Sequence, residues 1–351
     1  MKLLITGGSG FLGYHIANDL RDKGVEFILF DLVPAELAEY PEGTVYEQGD
    51  IRDKDKLAEV FERHKPDMVV HGAAALPLWK REDIYSVNVD GTRNVLQACV
   101  DAGVQRMVQI SSTAVYGVPE KHPLYETDPM VGVGPYGETK IAAEELCAGW
   151  RHKGLVVCII RPKTFIGTAR LGVFQILYDW VESGCRIPVI GPGTNRYQLL
   201  EVCDLVQAIW LGLSGPVEKV NDTFNVGAKN FRTVNEDVGA LCDYAGNGAR
   251  VMGTWAPGVK LFLRIAEILH LSPLYKWVYG TADTDSFVST EKIEQELGWD
   301  PKYSNADALI RSYQWYLEHK AEIAGATGIT HRVAWRQGIL GVIKWLLRTR
   351  S

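Results

Sequence analysis

Tyr136 and Lys140 stand four residues apart in Tyr136-Gly137-Glu138-Thr139-Lys140. On a helix, residues i and i+4 share a face, so this spacing sets a phenol beside an ammonium. A nearby positive charge favours phenolate and lowers a tyrosine pKa from about 10 toward working pH. A tyrosine tuned that way takes the proton from a secondary alcohol while the alcohol carbon gives up hydride. Ser112, in Ser111-Ser112-Thr113-Ala114-Val115-Tyr116-Gly117, sits at the end of the preceding strand. In a doubly wound sheet, ligands bind beyond the carboxyl ends of strands, where a serine hydroxyl can hydrogen-bond the reacting oxygen. Taken singly, each signal also has a plain structural reading. A YxxxK string arises by chance on surface helices, and serine often caps strand ends.

Hydride needs an acceptor, and the N-terminus offers its cradle. Leu3-Leu4-Ile5-Thr6-Gly7-Gly8-Ser9-Gly10-Phe11-Leu12-Gly13 is a short apolar strand running into glycines, followed by an amphipathic segment. Gly7 permits the turn, Gly10 lets the backbone approach a pyrophosphate, and Gly13 lets the helix pack close to the strand. Phe11 and Leu12 open that helix, whose N–H groups and positive dipole end suit phosphate. Val25 to Phe30 reads as the second strand and ends at Asp31, about 20 residues past the glycines, where a carboxylate accepts from ribose hydroxyls. No Lys or Arg lies between Asp31 and Arg52. A 2′-phosphate would meet repulsion there, so the expected dinucleotide is NAD, not NADP. Gly49-Asp50-Ile51 follows a third short strand and can edge the adenine.

The elements that must position these groups alternate. Val69-Val70-His71 runs into Gly72-Ala73-Ala74-Ala75. A helical stretch spans about 84–102, and 105–110 is the next strand. Another helix covers about 136–152 and carries the Tyr/Lys pair, and 155–160 is a buried strand. Such alternation implies an α/β fold, a doubly wound parallel sheet of Rossmann type covered by helices. After Arg161-Pro162 the pattern becomes irregular. The expected organisation is an NAD-binding domain over 1–165, joined by a returning strand near 222–227, then a smaller C-terminal region over 166–330 that is mostly substrate lobe, then a basic amphipathic tail over 331–351.

Glycines 7, 10 and 13, Asp31, Gly49-Asp50-Ile51, Gly72-Ala73-Ala74, Asn88, Ser112, Tyr136 and Lys140 follow in order. In this the chain resembles the extended short-chain dehydrogenase/reductases, the NAD-dependent epimerase/dehydratase group, over about residues 1–230. The resemblance resumes weakly at Glu296-Leu297-Gly298-Trp299-Asp300-Pro301. It implies Tyr136 as acid/base, Lys140 as its pKa modifier and nicotinamide-ribose ligand, and Ser112 as the hydroxyl that orients the substrate oxygen. It implies cofactor contacts along the glycine turn and at Asp31, Asp50, Ile51, Gly72, Ala73, Ala74 and Asn88, the last as a supporting polar residue. It also implies a homodimer through a four-helix bundle of helices 84–102 and 136–152.

Departures narrow the substrate. Members that dehydrate nucleotide sugars place Asp and Glu after the active-site hydroxyl residue; here Thr113 and Ala114 stand there, which excludes a 4,6-dehydratase. Thr113 remains a candidate substrate contact, as does Thr164, which occupies the place of a substrate-binding Asn in sugar epimerases. Arg196 matches an arginine that clamps diphosphate, and its planar fork suits phosphate or carboxylate. The second arginine expected near 283 is absent, and Asp283 and Asp285 there would repel a diphosphate. The apolar stretch from Gly258 to Tyr279, with Leu261, Phe262, Leu263, Ile265, Ile268, Leu269, Leu271 and Trp277, is similar to the 3β-hydroxysteroid and sterol dehydrogenase branch.

Composition bounds the rest. The net charge is -6, yet residues 331–351 hold five basic residues and no acid, so the other 330 residues carry -11. An acidic body argues against nucleic acid as a partner. Six scattered cysteines without a CxxC pair fit a reducing compartment, with neither a disulfide framework nor a metal site. No spanning helix is expected. The apolar run of Met-Lys-Leu-Leu-Ile stops at the glycine turn, too soon for a signal peptide. If the tail is helical, Trp335, Ile339, Val342, Ile343 and Leu346 share a face, with Gln337, Lys344 and Arg348 opposite. That pattern fits a helix lying on an anionic membrane, so the expected location is the cytoplasm, with contact to the inner face of the membrane. The main reading is a dehydrogenase of a lipid-like ring alcohol, with Arg196 holding an acidic group. The alternative is a nucleotide-sugar 4-epimerase that retains NAD. A non-catalytic, NAD-sensing membrane scaffold is the third.

Overall fold

The computed structural model describes residues 1–77, 79–169, 171, 174–268 and 276–325, then 341, 343, 344, 347 and 348. Two compact units emerge: residues 1–163, 202–227 and 288–301 form one, and residues 164–201, 228–287 and 302–351 the other.

The first unit is built on a seven-stranded parallel sheet. Its strands are β1 (Lys2–Thr6), β2 (Glu26–Asp31), β3 (Val45–Gln48), β4 (Met68–His71), β5 (Arg106–Ile110), β6 (Val156–Pro162) and β10 (Thr223–Val226). They pair in the order β10-β6-β5-β4-β1-β2-β3. The inner strands are continuously apolar because helices cover both faces. On one face α2 (Lys54–His64), α4 (Thr92–Asp101) and α5 (Gly134–Arg151) contribute Leu57, Val95 and Cys147 to a core with Leu4, Val69 and Val157. On the other, α1 (Phe11–Asp19) packs with α7 (Val202–Ser214). Strand order reverses between β1 and β4, the place where a doubly wound sheet opens a ligand crevice at its carboxyl edge.

Local chemistry sets several boundaries. Asp53 caps α2 by accepting from the Lys56 N–H, and α5 starts with Pro135 in its first turn. The stretch expected as one helix over 84–102 is interrupted. A short α3 (Arg81–Tyr85) runs into a π turn (Ser86–Gly91) before α4 begins. The wide turn sets Asn88, which is buried, toward the loop after β4.

The second unit is not one stretch from 166 to 330, because α7, α8 (Val217–Val220), β10 and α12 (Glu291–Leu297) belong to the first. Trp299 explains the last return: its indole is buried and its N–H donates to the Asp204 carbonyl at 2.9 Å. The second unit holds β7 (Thr164–Ile166) paired with β9 (Leu199–Glu201), and β8 (Arg186–Val189) paired with β11 (Arg250–Gly253). Around them stand α6 (Phe174–Glu182), α9 (Val234–Ala245), α10 (Ala256–Ile268), α11 (Lys276–Thr281) and α13 (Asn305–Gly325). Its core gathers Tyr178, Trp180, Leu241, Leu309 and Tyr313.

Most of the tail lies outside the described residues, including Trp335, Gln337, Ile339, Val342 and Leu346. Where it is described, it rests on its own unit. Ile343 and Leu347 pack against the second core, and Lys344 Nζ pairs with Asp179 at 2.6 Å. Those side chains are therefore committed to the protein, not to a bilayer.

Candidate active site

The glycine turn between β1 and α1 is held from four directions. The N–H of Gly7, at φ +73°, donates to the Phe30 carbonyl at 2.9 Å, and the Gly10 N–H donates to the Gly7 carbonyl at 3.0 Å. The Ser9 N–H donates to Asp31 Oδ2 at 3.0 Å, and the Tyr40 hydroxyl donates to the Gly8 carbonyl at 3.1 Å. A Cβ on Gly7 would lie 2.9 Å from the Ala73 nitrogen, one on Gly10 2.9 Å from the Gly7 oxygen, and one on Gly13 2.4 Å from the Gly8 oxygen. The first two glycines thus leave room above the turn, and the third lets α1 seat against it. Gly10 caps α1 without a side chain, and the first N–H groups of a helix have no intrahelical acceptor. Backbone donors at a bare helix start, meeting the Gly72-Ala73 loop at the reversal point, fit the pyrophosphate of a dinucleotide.

Asp31 has a second duty beyond the ribose contact expected of it: its Oδ1 accepts from the Val33 N–H at 3.1 Å. One carboxylate thus fixes both the glycine turn and the loop after β2. Asp50 is gripped by Arg52, whose Nη2 reaches Oδ2 at 2.6 Å. Burial alone would raise the Asp50 pKa, but the Arg52 hydrogen bonds and charge hold it below the usual range. Arg52 also approaches Asp83 at 3.8 Å. Ile51 is buried in the core beside Gly91. Gly72, Ala73 and Ala74 are half-buried in the loop after β4.

Below this edge runs a buried polar chain that the sequence did not reveal. Thr92 Oγ1 donates to the Asn88 carbonyl (2.6 Å), so it accepts from His71 Nε2 (3.0 Å), and His71 Nδ1 accepts from Thr6 Oγ1 (2.6 Å). His71 is thereby the neutral Nε2–H tautomer. Burial, and then the Lys140 charge, push its pKa down to about 3. Thr6 Oγ1 in turn accepts from the Ala73 N–H at 3.3 Å. Asn88 spends its whole amide on the protein. Its Oδ1 accepts from the Ala75 N–H (2.8 Å), and its Nδ2 donates to the Ala75 carbonyl (3.2 Å) and to Thr139 Oγ1 (3.0 Å). It holds the Gly72–Ala75 loop and α5 in place, in keeping with a supporting polar residue.

Tyr136 and Lys140 share one face of α5 as their spacing requires. The Lys140 ammonium is buried, donates to the Ile110 carbonyl at 2.9 Å, and lies 5.7 Å from the Tyr136 ring centroid. Burial pushes its pKa down to about 8, against the opposing pull of Glu144. Ser112 follows β5; it is half-buried and its Oγ accepts from the Ala114 N–H at 3.1 Å, leaving its own proton to donate elsewhere. Thr113 opens the 3₁₀ turn Thr113–Tyr116 beside it. A further unread network anchors this corner. Arg161 pairs with Glu144 at 2.6 Å, both buried; Glu144 also accepts from Ser111 Oγ, and Arg161 Nη1 donates to the Tyr116 hydroxyl at 2.7 Å.

Thr164 and Arg196 belong to the second unit. Thr164 Oγ1 lies 3.2 Å from the Tyr197 hydroxyl. The Arg196 guanidinium sits 4.8 and 4.5 Å from the ring centroids of Phe231 and Phe287. The acids expected to repel a diphosphate are already engaged. Asp283 pairs with Lys260 at 2.5 Å, and Asp285 Oδ1 accepts from the Arg196 N–H at 2.8 Å. The Lys260 ammonium offsets the charge of Asp283, while Asp285 keeps its negative charge, so the repulsion argument against a nucleotide sugar is reduced.

Five cysteines are buried, with Cys203 half-buried; burial pushes Cys147 and Cys158 up to about 12. Among the described residues, one set of metal-type ligands converges: His15, Asp19 and Cys203 bring atoms within 4.8 Å of one another. Separation in sequence hid Cys203 from the other two.

The model of the NAD-dependent epimerase/dehydratase family matches residues 3–227. The chain belongs to that family; it is an extended short-chain dehydrogenase/reductase enzyme, and its cofactor is NAD. The UDP-glucose 4-epimerase of Rhizobium leguminosarum bv. trifolii is 35% identical over 323 residues, 90% of this chain and 97% of that protein. The uncharacterized protein y4nG of Sinorhizobium fredii is 33% identical over 354 residues, 98% of this chain and 86% of that protein. Among solved structures, the UDP-glucose 4-epimerase of Thermotoga maritima with UDP-glucose superposes at TM-score 0.76 and 22% identity, covering 91% of this chain and 100% of that one. Bordetella bronchiseptica WbmG with NAD gives 0.73 at 24%, covering 91% and 94%. These two establish the fold.

Proposed function

We propose that this enzyme is a nucleotide-sugar 4-epimerase. It takes a proton and a hydride from a secondary alcohol, holds the ketone, and returns hydride to the opposite face with NAD retained. NAD, when bound, accepts that hydride and gives it back. Tyr136 takes the hydroxyl proton and later restores it. Lys140 supplies the positive charge that favours phenolate and hydrogen-bonds the nicotinamide ribose. Ser112 donates to the reacting oxygen, and Thr113 and Thr164 are further substrate contacts. The glycine turn, Asp31, Asp50 and the Gly72–Ala74 loop hold the dinucleotide, and Asn88 braces that loop. Arg196 takes the diphosphate, its guanidinium flanked by Phe231 and Phe287.

The single observation that carries this reading is Lys140 buried against the Ile110 carbonyl on the same helix face as Tyr136. The identity to UDP-glucose 4-epimerases supports that substrate class. It displaces a lipid-like alcohol as the first choice. One feature still favours that second reading. On α10, Leu261 (59% exposed), Phe262 (40%) and Ile265 (50%) stand open to solvent near Trp255 (75%). Leu263 of the same helix is buried, so the apolar face is divided. Side chains of Ile268, Leu269, Leu271 and Trp277 lie outside the described ones. Among the described residues no helix is long and apolar enough to cross a membrane. A homodimer through α4 and α5 remains part of the proposal.

The test incubates the purified chain with NAD and either UDP-sugars or sterols, following NADH absorbance and product identity together. Epimer formation without net NADH is the expected result. NADH accumulating with a sterol, and no epimer from any UDP-sugar, would return the lipid reading to first place.

A further inference from the structure

Helices α1 and α7 lie side by side within the first unit. Lys23, just past α1, sets its ammonium 5.7 Å from the Trp210 ring centroid of α7, while His15 and Asp19 meet Cys203 in the first turn of α7. The two helices therefore run in the same direction. His15 and Asp19, four residues apart, share one face of α1. Nδ1 of His15 lies 3.7 Å from Asp19 Oδ2, and the ligand atoms of His15, Asp19 and Cys203 all fall within 4.8 Å of one another. The imidazole is set in place by two edge-on neighbours, with Phe11 and Tyr14 at 5.1 and 5.2 Å between ring centroids. His15 is buried, whereas the Asp19 side chain is 31% exposed and opens the cluster to solvent. Of the six cysteines, Cys203 is the half-buried one.

We propose that His15, Asp19 and Cys203 bind a divalent cation of the zinc class, which clamps α1 to α7. The donor set decides the class. An imidazole, a carboxylate and a thiolate together suit zinc and its tetrahedral relatives, whereas magnesium and calcium take oxygen ligands. Distance agrees. Tetrahedral zinc holds nitrogen and oxygen at about 2.0–2.1 Å and sulfur at about 2.3 Å, which sets pairs of ligands about 3.4–3.6 Å apart. The His15–Asp19 pair already stands at 3.7 Å, too long for a hydrogen bond, and side-chain rotation of about 1 Å brings in the rest. Three protein ligands leave the fourth position to water. Coordination releases the Cys203 thiol proton, so affinity rises with pH. The site is separate from the residues assigned to NAD and substrate, and the inference does not depend on the epimerase reading. Its consequence is mechanical: α1 starts at the glycine turn, so a clamp on His15 and Asp19 steadies the helix that carries the pyrophosphate donors.

The test titrates Co²⁺, a spectroscopic stand-in for zinc, into the full chain stripped of metal by a chelator and kept reduced with a phosphine. A single Co²⁺ per chain should bind with a thiolate-to-cobalt charge-transfer band in the near ultraviolet. Zn²⁺ should displace it, and a large excess of Mg²⁺ should not. Cys203→Ser should abolish the band, and His15→Gln and Asp19→Asn should each weaken binding at least about tenfold. Zn²⁺ should raise the melting temperature of wild type and leave that of Cys203→Ser unmoved. NAD titration of the metal-free variants checks their fold; the partly exposed Asp19 keeps the test decisive if the variant at buried His15 does not fold. No band at saturating Co²⁺, a band that survives Cys203→Ser, or an affinity untouched by Asp19→Asn overturns the inference.

Discussion

Replacing Lys140 with Met should stabilise the apoprotein while disabling it. The lysine is buried, and burial pushes its pKa down to about 8 in the fold from an ordinary value of 10.5. Between those values the unfolded chain binds the extra proton and the folded chain does not, so this group makes stability rise with pH across that window. Below about pH 8 the charged lysine costs the fold its full penalty. A pKa gap of about 2.5, at 1.36 kcal/mol for each, gives about 3.4 kcal/mol. The substitution also removes the bond to the Ile110 carbonyl, worth about 1 kcal/mol. That oxygen keeps Gln109 Nε2 at 3.2 Å, so it is not orphaned. Methionine fills nearly the same volume. The net expectation at pH 7 is a gain of about 2 kcal/mol, read by urea unfolding, shrinking as pH climbs through the window and reversing sign at about pH 9.8, where the remaining penalty equals the lost hydrogen bond. Comparing variant with wild type at each pH cancels the other titrating groups. Turnover should collapse over the same substitution. A variant that is less stable at pH 7, or whose difference from wild type does not change with pH, would refute the reasoning.

Three further outcomes follow from named contacts. Tyr136→Phe should lower kcat by about 10²–10⁴ while NAD titration shows unchanged affinity. Gly10→Ala places a Cβ 2.9 Å from the Gly7 oxygen, so NAD affinity should fall at least about tenfold in a fluorescence titration. Glu144→Ala strands the Arg161 guanidinium in the interior, and urea unfolding should record a loss of about 3–5 kcal/mol, whereas Glu144→Leu with Arg161→Met should recover most of it.

Much of this architecture is legible because its signals are local. Apolar runs bounded by glycine give the strands, and the i, i+4 spacing of Tyr136 and Lys140 needs only a helix to have meaning. The glycine turn is readable because Gly10 and Gly13 answer steric demands within thirteen residues; the close approach of Ala73 to Gly7 is not local. What escapes is side-chain pairing across long sequence separations. Nothing near Asn88 announces that its amide is spent on Ala75 and Thr139. Tyr40 bracing Gly8, and Glu144 joining Ser111 to Arg161, are equally silent. Charge counted along the chain does not show that the Lys260 ammonium meets Asp283, or that Asp285 accepts from the Arg196 backbone N–H. Pattern marks the strand near 222–227 as returning to the sheet, but the motif at 296–301 carries no local sign of the body it rejoins.

The buried charges argue for where this protein does its chemistry. Arg161 and Glu144 are tied to each other, and that pair is explained by structure. Lys140 is different: burial is the largest influence on its pKa and it works against the charge. A fold seeking stability alone would replace it with an apolar residue of similar volume. It occurs on α5, one turn from the tyrosine placed to move a proton, with its ammonium on the carbonyl at the end of β5. Stability lost beside that tyrosine is the mark of a site under functional demand. The same argument separates this corner from the His71 chain. That chain is fully hydrogen-bonded and neutral, with no charge to bring to a substrate, and so serves as scaffold for the two loops above it.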